Sequence, residues 1–174
     1  MRCAFSRLWI ASLLLCALAL LLCLIVAQAQ EIRFDNSPDT SGRRGQRVTL
    51  DSDAFTVTAG HPDWIELRFH VTPGFHINSH APLDETLIPT SLRLTPSESI
   101  HILKDEYPSG VPLHLNIGAG TTLSTYTGDF RIRVELVTQK GQFFLPGTLH
   151  YQACDAASCF PPRDLPLNVA ISAR

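Results

Sequence analysis

From Asp129 to Val137 the chain alternates. Phe130, Ile132, Val134 and Leu136 fall on one side, and Asp129, Arg131, Arg133 and Glu135 on the other. Successive side chains of a β-strand point to opposite faces, so this period of two is that of a half-buried strand. Trp64 to Val71 repeats it, with Ile65, Leu67, Phe69 and Val71 opposite Glu66, Arg68 and His70. No window of a dozen residues carries the stripe of an amphipathic helix. Shorter strands are expected at 48–50, 54–58, 90–95, 113–117, 147–153 and 165–171. Pro and Gly punctuate the gaps at Pro73-Gly74, Pro108 with Gly110, Gly118 with Gly120, Gly141, Pro146-Gly147 and Pro161-Pro162. Seven to nine short strands with such spacing predict an all-β fold, an antiparallel β-sandwich. Trp64, Phe69 and Phe130 are read as inward-facing core positions.

The first 29 residues stand apart from that domain. Arg2 and Arg7 give a positive start, Leu8 to Ala27 is apolar apart from Ser12, and Ala27-Gln28-Ala29 is an A-x-A cleavage signature. The apolar run of 20 residues is also long enough to cross a bilayer. The segment is therefore read as a signal peptide or an uncleaved anchor helix, and either exports the remainder. Residues 30–46 are polar, with Pro38, Gly42 and Gly45, and read as a linker. The domain is expected over 47–174, large enough to bury a core without help from disulfides. Residues 30–174 carry 12 basic and 16 acidic side chains, a formal charge of −4 with His neutral. With no basic patch or charge block, nucleic acid is excluded as a partner. A membrane enters only if the N-terminal segment is retained.

Cys3, Cys16 and Cys23 fall in the export segment, which leaves Cys154 and Cys159 as the only cysteines of the domain. Four intervening residues can bring their Cα atoms within the window of about 4.4–6.8 Å that a disulfide needs. An exported chain is in a compartment where such a bond persists. A bridge closing only six residues stabilises a fold by about 2 kcal/mol in the chain-entropy estimate. That is little, and it points toward redox chemistry. The pair sits on a loop between a strand running from Thr148 to Ala153 and the stop at Pro161-Pro162. It is not Cys-x-x-Cys, and no helix follows to stabilise a thiolate. Asp155 disfavours the thiolate further. Such a pair is better suited to being attacked by a partner's thiolate than to attacking, which makes it an electron acceptor and relay. The plain alternative is a structural disulfide in a non-catalytic exported binding or interaction sandwich.

The run Tyr151-Gln-Ala-Cys-Asp-Ala-Ala-Ser-Cys-Phe-Pro-Pro162 resembles the active-site run of the N-terminal domain of the thiol:disulfide interchange protein DsbD. Pro73-Gly-Phe-His-Ile-Asn-Ser-His-Ala-Pro82 fits the same family and comes in the right order. The similarity covers roughly residues 47 to 172. It implies an immunoglobulin-like sandwich in the periplasm, with no cofactor. In that family the cysteine pair takes electrons from a thioredoxin-like domain and hands them to oxidised periplasmic proteins. Cys154 and Cys159 match the redox cysteines, with Cys159 expected to be attacked first. Tyr126, within Leu123 to Gly128, is matched to the aromatic cap loop that shields the family's disulfide. Phe160, next to Cys159 and in the family only a consensus aromatic, is expected to pack over the sulfurs as a second shield, and Phe75, His76 and Asn78 are expected near the site. The cysteine loop is one residue shorter than in the best-known member. Twelve residues follow Pro162. The electron donor, thioredoxin-like or a DsbD-type membrane protein, is accordingly expected on a separate chain.

Other residues invite weaker readings. His76 and His80, four apart, join the two cysteines as a conceivable Cys₂His₂ set for zinc or copper, but the spacing matches no standard finger, and no metal is expected. His150, four before Cys154, either biases that thiol's titration or is a solvated strand histidine. Asp84-Glu85 and Asp105-Glu106 read as solvated turns rather than an acid–base pair. Ser97, Ser99 and Ser158 lack the context of a nucleophile.

Overall fold

The structure, a computed structural model, describes residues 45–115 and 121–174. The signal or anchor segment, nearly all of the linker and the turn at Gly118 and Gly120 lie outside the described residues. Among those described there is no helix, and hence none long and apolar enough to cross a membrane. The strands are β1 (Val48–Leu50), β2 (Ala54–Val57), β3 (Asp63–Val71), β4 (His76–Asn78), β5 (Ser91–Leu94), β6 (Ile100–Glu106), β7 (Val111–Leu115), β8 (Thr121–Tyr126), β9 (Asp129–Thr138), β10 (Gly141–Tyr151), β11 (Ala153–Cys154) and β12 (Arg163–Ala173).

They form three four-stranded sheets, in the orders β1-β3-β9-β6, β2-β12-β10-β5 and β11-β4-β8-β7. All described pairings are antiparallel except β2 with β12, where Ala54 to Val57 run parallel to Ala170 to Ala173. The fold is the all-β, immunoglobulin-like sandwich expected, with a third small sheet added at its flank.

The alternation that opened the sequence reading is what builds the core. Ile65, Leu67, Phe69 and Val71 of β3 and Phe130, Ile132, Val134 and Leu136 of β9 are all buried. They meet Leu145 and Leu149 of β10 and Leu165, Leu167, Val169 and Ile171 of β12 in one apolar cluster. Each such side chain, fully removed from water, contributes about 1.5–3 kcal/mol. Phe69 stacks on Phe130 at 5.2 Å, and Phe130 on Tyr126 at 4.8 Å. The third sheet contributes Ile77, Tyr126 and Ala153 to this cluster, which fixes it against the sandwich.

Two expectations are corrected. Trp64 does not face inward, because it shares the face of Glu66 and Arg68. Its ring lies under the Arg133 guanidinium at 4.2 Å and the Lys104 ammonium at 5.1 Å. Pro146-Gly147 is not a turn, since β10 runs through it in register with Asn168 and Leu167. The Pro146 carbonyl accepts from the Thr95 N–H at 2.9 Å, just past the end of β5. The missing N–H of Pro146 points to that same side, where no strand remains to receive it. At Gly147 a Cβ would lie 2.6 Å from Leu94 Cδ2 and 2.8 Å from the Arg93 carbonyl oxygen, so only glycine allows β5 this close.

Candidate functional site

Cys154 and Cys159 are joined by a disulfide. They face each other across a very small hairpin as an antiparallel bridge. The Asp155 N–H donates to the Ser158 carbonyl at 2.9 Å, and the Phe160 N–H to the Ala153 carbonyl at 2.8 Å. Those bonds flank the cysteines and make them a non-hydrogen-bonded cross-strand pair, the type with the closer Cα approach. The Cα atoms are 3.9 Å apart, nearer than the window expected from the spacing. At the tip, one carboxylate oxygen of Asp155 accepts from the N–H groups of Ala157 and Ser158, each at 2.8 Å. These two backbone bonds hold the carboxyl below its ordinary range. Asp155 therefore pins the turn in addition to placing charge beside the sulfurs.

β11 docks on β4, with Ala153 opposite Ile77 and Cys154 opposite His76. Ala153 and Ile77 enter the core, so Cys154 and His76 share the other face of the sheet. Asn78 lies on that face too. Its Nδ2 donates to the Ile88 carbonyl at 3.0 Å and to Gln152 Oε1 at 3.2 Å. Gln152 Nε2 in turn donates to the Phe160 carbonyl at 3.2 Å, tying the cysteine loop down. The two half-cystines differ in access, for Cys154 is 1% exposed whereas Cys159 is open to solvent.

His76 is 6% exposed, and its Nε2 has no hydrogen-bond partner. A buried polar atom left unpaired costs about 1–3 kcal/mol. Burial holds the imidazole below the usual histidine range, with the Asp155 carboxylate pulling the other way.

Phe75 and Phe160 lie 5.9 Å apart by ring centroid, so both expected aromatics stand at the hairpin. The guanidinium of Arg47 lies over Phe75 at 4.1 Å and 5.9 Å from Phe160. Arg47 is anchored by its own N–H, which donates to the Tyr151 hydroxyl at 3.2 Å. This residue was missed in the sequence, where it stands at the linker boundary far from either aromatic.

Tyr126 is not on a loop over the sulfurs. It ends β8, where it pairs with Ile77, is 3% exposed, and donates its hydroxyl to the Pro108 carbonyl at 2.9 Å. That hydroxyl also accepts from the His80 N–H at 3.1 Å. An aromatic tied from both sides and stacked in the core is a structural element.

The weaker candidates separate as well. His80 is exposed, stacks on Tyr107 at 3.6 Å and meets the Thr90 carbonyl through Nδ1 at 3.0 Å. Among the described residues no three His, Cys, Asp or Glu side chains converge as a metal site. The sulfurs, bonded to each other, are not thiolate ligands. His150 points to Asp164 across β10 and β12, Nδ1 to Oδ1 at 2.6 Å, and so does not bear on Cys154. Asp84 caps a turn through the N–H and hydroxyl of Thr86. Asp105-Glu106 ends β6 instead of forming a turn, with Glu106 paired to Lys104 at 2.7 Å and Arg133 at 3.1 Å.

Residues 46–169 match the family described as thiol:disulfide interchange protein DsbD, N-terminal. No curated protein matches the chain. Among solved structures, the N-terminal periplasmic domain of ScsB from Proteus mirabilis is similar at 18% identity and a TM-score of 0.48, covering 70% of this chain. This chain spans only 44% of that one. The reduced DsbD N-terminal domain of Neisseria meningitidis is similar at 16% identity and a TM-score of 0.43, covering 64% of this chain and 80% of that one. The same organism's DsbD N-terminal domain in complex with the PilB N-terminal domain gives 17% identity and a TM-score of 0.38, over 61% and 73% of the two chains. These three likenesses are too distant to carry weight. The match to the family spans well over half of the sequence, and the chain belongs to the family of DsbD N-terminal domains, thiol:disulfide interchange modules, with Cys154 and Cys159 forming its disulfide.

Proposed function

We propose that this domain is a periplasmic relay that passes two electrons through the Cys154–Cys159 pair. They would come from a thioredoxin-like donor and go to oxidised envelope proteins. The observation that carries the reading is the unequal access of the two sulfurs: Cys159 exposed and Cys154 buried, on a hairpin that the bridge adds little to. A donor thiolate reaches Cys159. Its sulfur bonds to Cys159 Sγ, the intramolecular S–S bond breaks, and Cys154 leaves with the electron pair. The donor's second thiolate then attacks the donor sulfur of this mixed disulfide, so the donor ends oxidised and the pair reduced, with two protons taken up. The reverse sequence delivers the electrons to a substrate disulfide. Phe75 and Phe160, with the Arg47 guanidinium over the first, would frame the approach.

The domain of residues 47–174 would work in the periplasm, held at the inner membrane only if residues 1–29 are kept as an anchor. In this reading the donor is a thioredoxin-like protein or a DsbD-type membrane conduit. Trapping tests it. The Cys154→Ser variant, with Cys159 first activated as its mixed disulfide with thionitrobenzoate, should expel thionitrobenzoate and form a stable mixed disulfide with a reduced thioredoxin whose resolving cysteine is replaced by Ser, and the Cys159→Ser variant treated in the same way should not. A reduction potential below about −300 mV would mark the bridge as structural and end the proposal.

A further inference from the structure

We propose that His76 is the general base that takes the proton from Cys154 when the reduced pair passes its electrons on. The inference rests on the relay reading above and adds a residue to it.

Three observations converge. Cys154 and His76 are directly opposed in the antiparallel ladder between β11 and β4, on the face turned away from the core. Side chains so placed have Cβ atoms about 5 Å apart. His76 Nε2 is buried and without a hydrogen-bond partner, so it is committed to no other group. Cys154 itself is buried, so solvent water is poorly placed to exchange its proton. Among the described residues, the charged group that acts on the imidazole is Asp155. Asp155 follows Cys154, and Arg47 acts on Asp155 from the segment before β1. On β8, the hydroxyl of Tyr126 is committed to Pro108 and His80.

The step balances as follows. Cys159 Sγ has attacked a substrate disulfide and carries a substrate sulfur. His76 Nε2 accepts the thiol proton of Cys154. The Cys154 sulfur donates its electron pair to Cys159 Sγ, the bond from Cys159 to substrate breaks, and substrate leaves as thiolate. The imidazolium, facing the Asp155 carboxylate, then releases its proton to solvent. Run backwards, the same group returns a proton to Cys154 as it is expelled. Burial keeps the imidazole neutral at neutral pH, the state a base requires.

The test uses glutathione disulfide as the oxidant of the reduced full-length protein, so that no biological partner is needed. Stopped-flow kinetics separate mixed-disulfide formation at Cys159 from resolution by Cys154. His76→Gln should leave the first phase unchanged and slow the second by about tenfold or more, within the range of general-base effects. It should also remove the histidine inflection from the pH profile of the second phase. Equal resolution rates and identical pH profiles in the two proteins overturn the proposal. In the unsubstituted protein, the His76 ring resonances should titrate over the pH range in which resolution accelerates. A mismatch overturns the proposal even if His76→Gln does not fold. Failure of thioredoxin to reduce the bridge would sink the relay reading separately, because the glutathione phases do not depend on it.

Discussion

His76 joins a stability effect to the chemistry of its neighbour. Its folded pKa is lowered from the ordinary 6.5, chiefly by burial. When pH falls below 6.5 the unfolded chain takes up a proton that the folded chain resists, so stability declines as pH drops toward the folded value. Melting curves of the oxidised protein between about pH 5 and 8 should show this loss, and His76→Gln should flatten it. The carboxylate of Asp155 acts in a separate, lower window. Its pKa is depressed, so its contribution is present above about 3.8 and vanishes as pH falls through the folded value. The loss tied to His76 begins below pH 6.5 and that tied to Asp155 only below about 3.8, so the histidine is read first as pH falls. Arg47 shows the limit of the sequence at this scale. A cation at a linker boundary carries no mark of its ring partner, and the contact exists only because β1 leads the chain past Phe75.

At the scale of elements, what was legible depended on length and on apolar repetition. β3 and β9 were read almost to their ends because each places four apolar residues on one face. β4 has three residues, too few for any period to show, and β8 reads Thr-Thr-Leu-Ser-Thr-Tyr, with only two large apolar side chains. β6, an edge strand, ends in Lys-Asp-Glu, a polar run that reads as a turn. The sheet that holds the cysteines is built largely from these silent strands, so the pair was legible and its platform was not. β10 was cut short at Pro146-Gly147 for the opposite reason, a strong turn signal overridden by packing. Gly147→Ala tests that account. The new methyl meets the Arg93 carbonyl at 2.8 Å, a backbone atom that cannot swing aside, so β5 must part from β10. We expect a destabilisation of about 1–3 kcal/mol in urea unfolding, with the disulfide still formed. An unchanged midpoint would mean that β5 is not held as described.

In the molecule as a whole, stability and redox chemistry are carried by different parts. The apolar cluster draws chiefly on β3, β9, β10 and β12, and the bridge lies outside it. Replacing both cysteines by Ser should therefore cost about 2 kcal/mol or less. In hydrogen exchange of the reduced protein, the slowest amides, those of the two large sheets, should keep their rates, and any acceleration should be confined to β11 and β4. Broad acceleration would make the disulfide a structural staple. The hairpin around the sulfurs is closed by main-chain bonds and by Asp155, none of which needs the S–S bond. In the proposed relay the hairpin would keep its outline when the pair is reduced, because the bonds that close it survive the loss of the S–S bond. Donor and acceptor would then meet the same small spot and the same shape, and traffic would be sorted by who arrives first and by whose couple lies downhill.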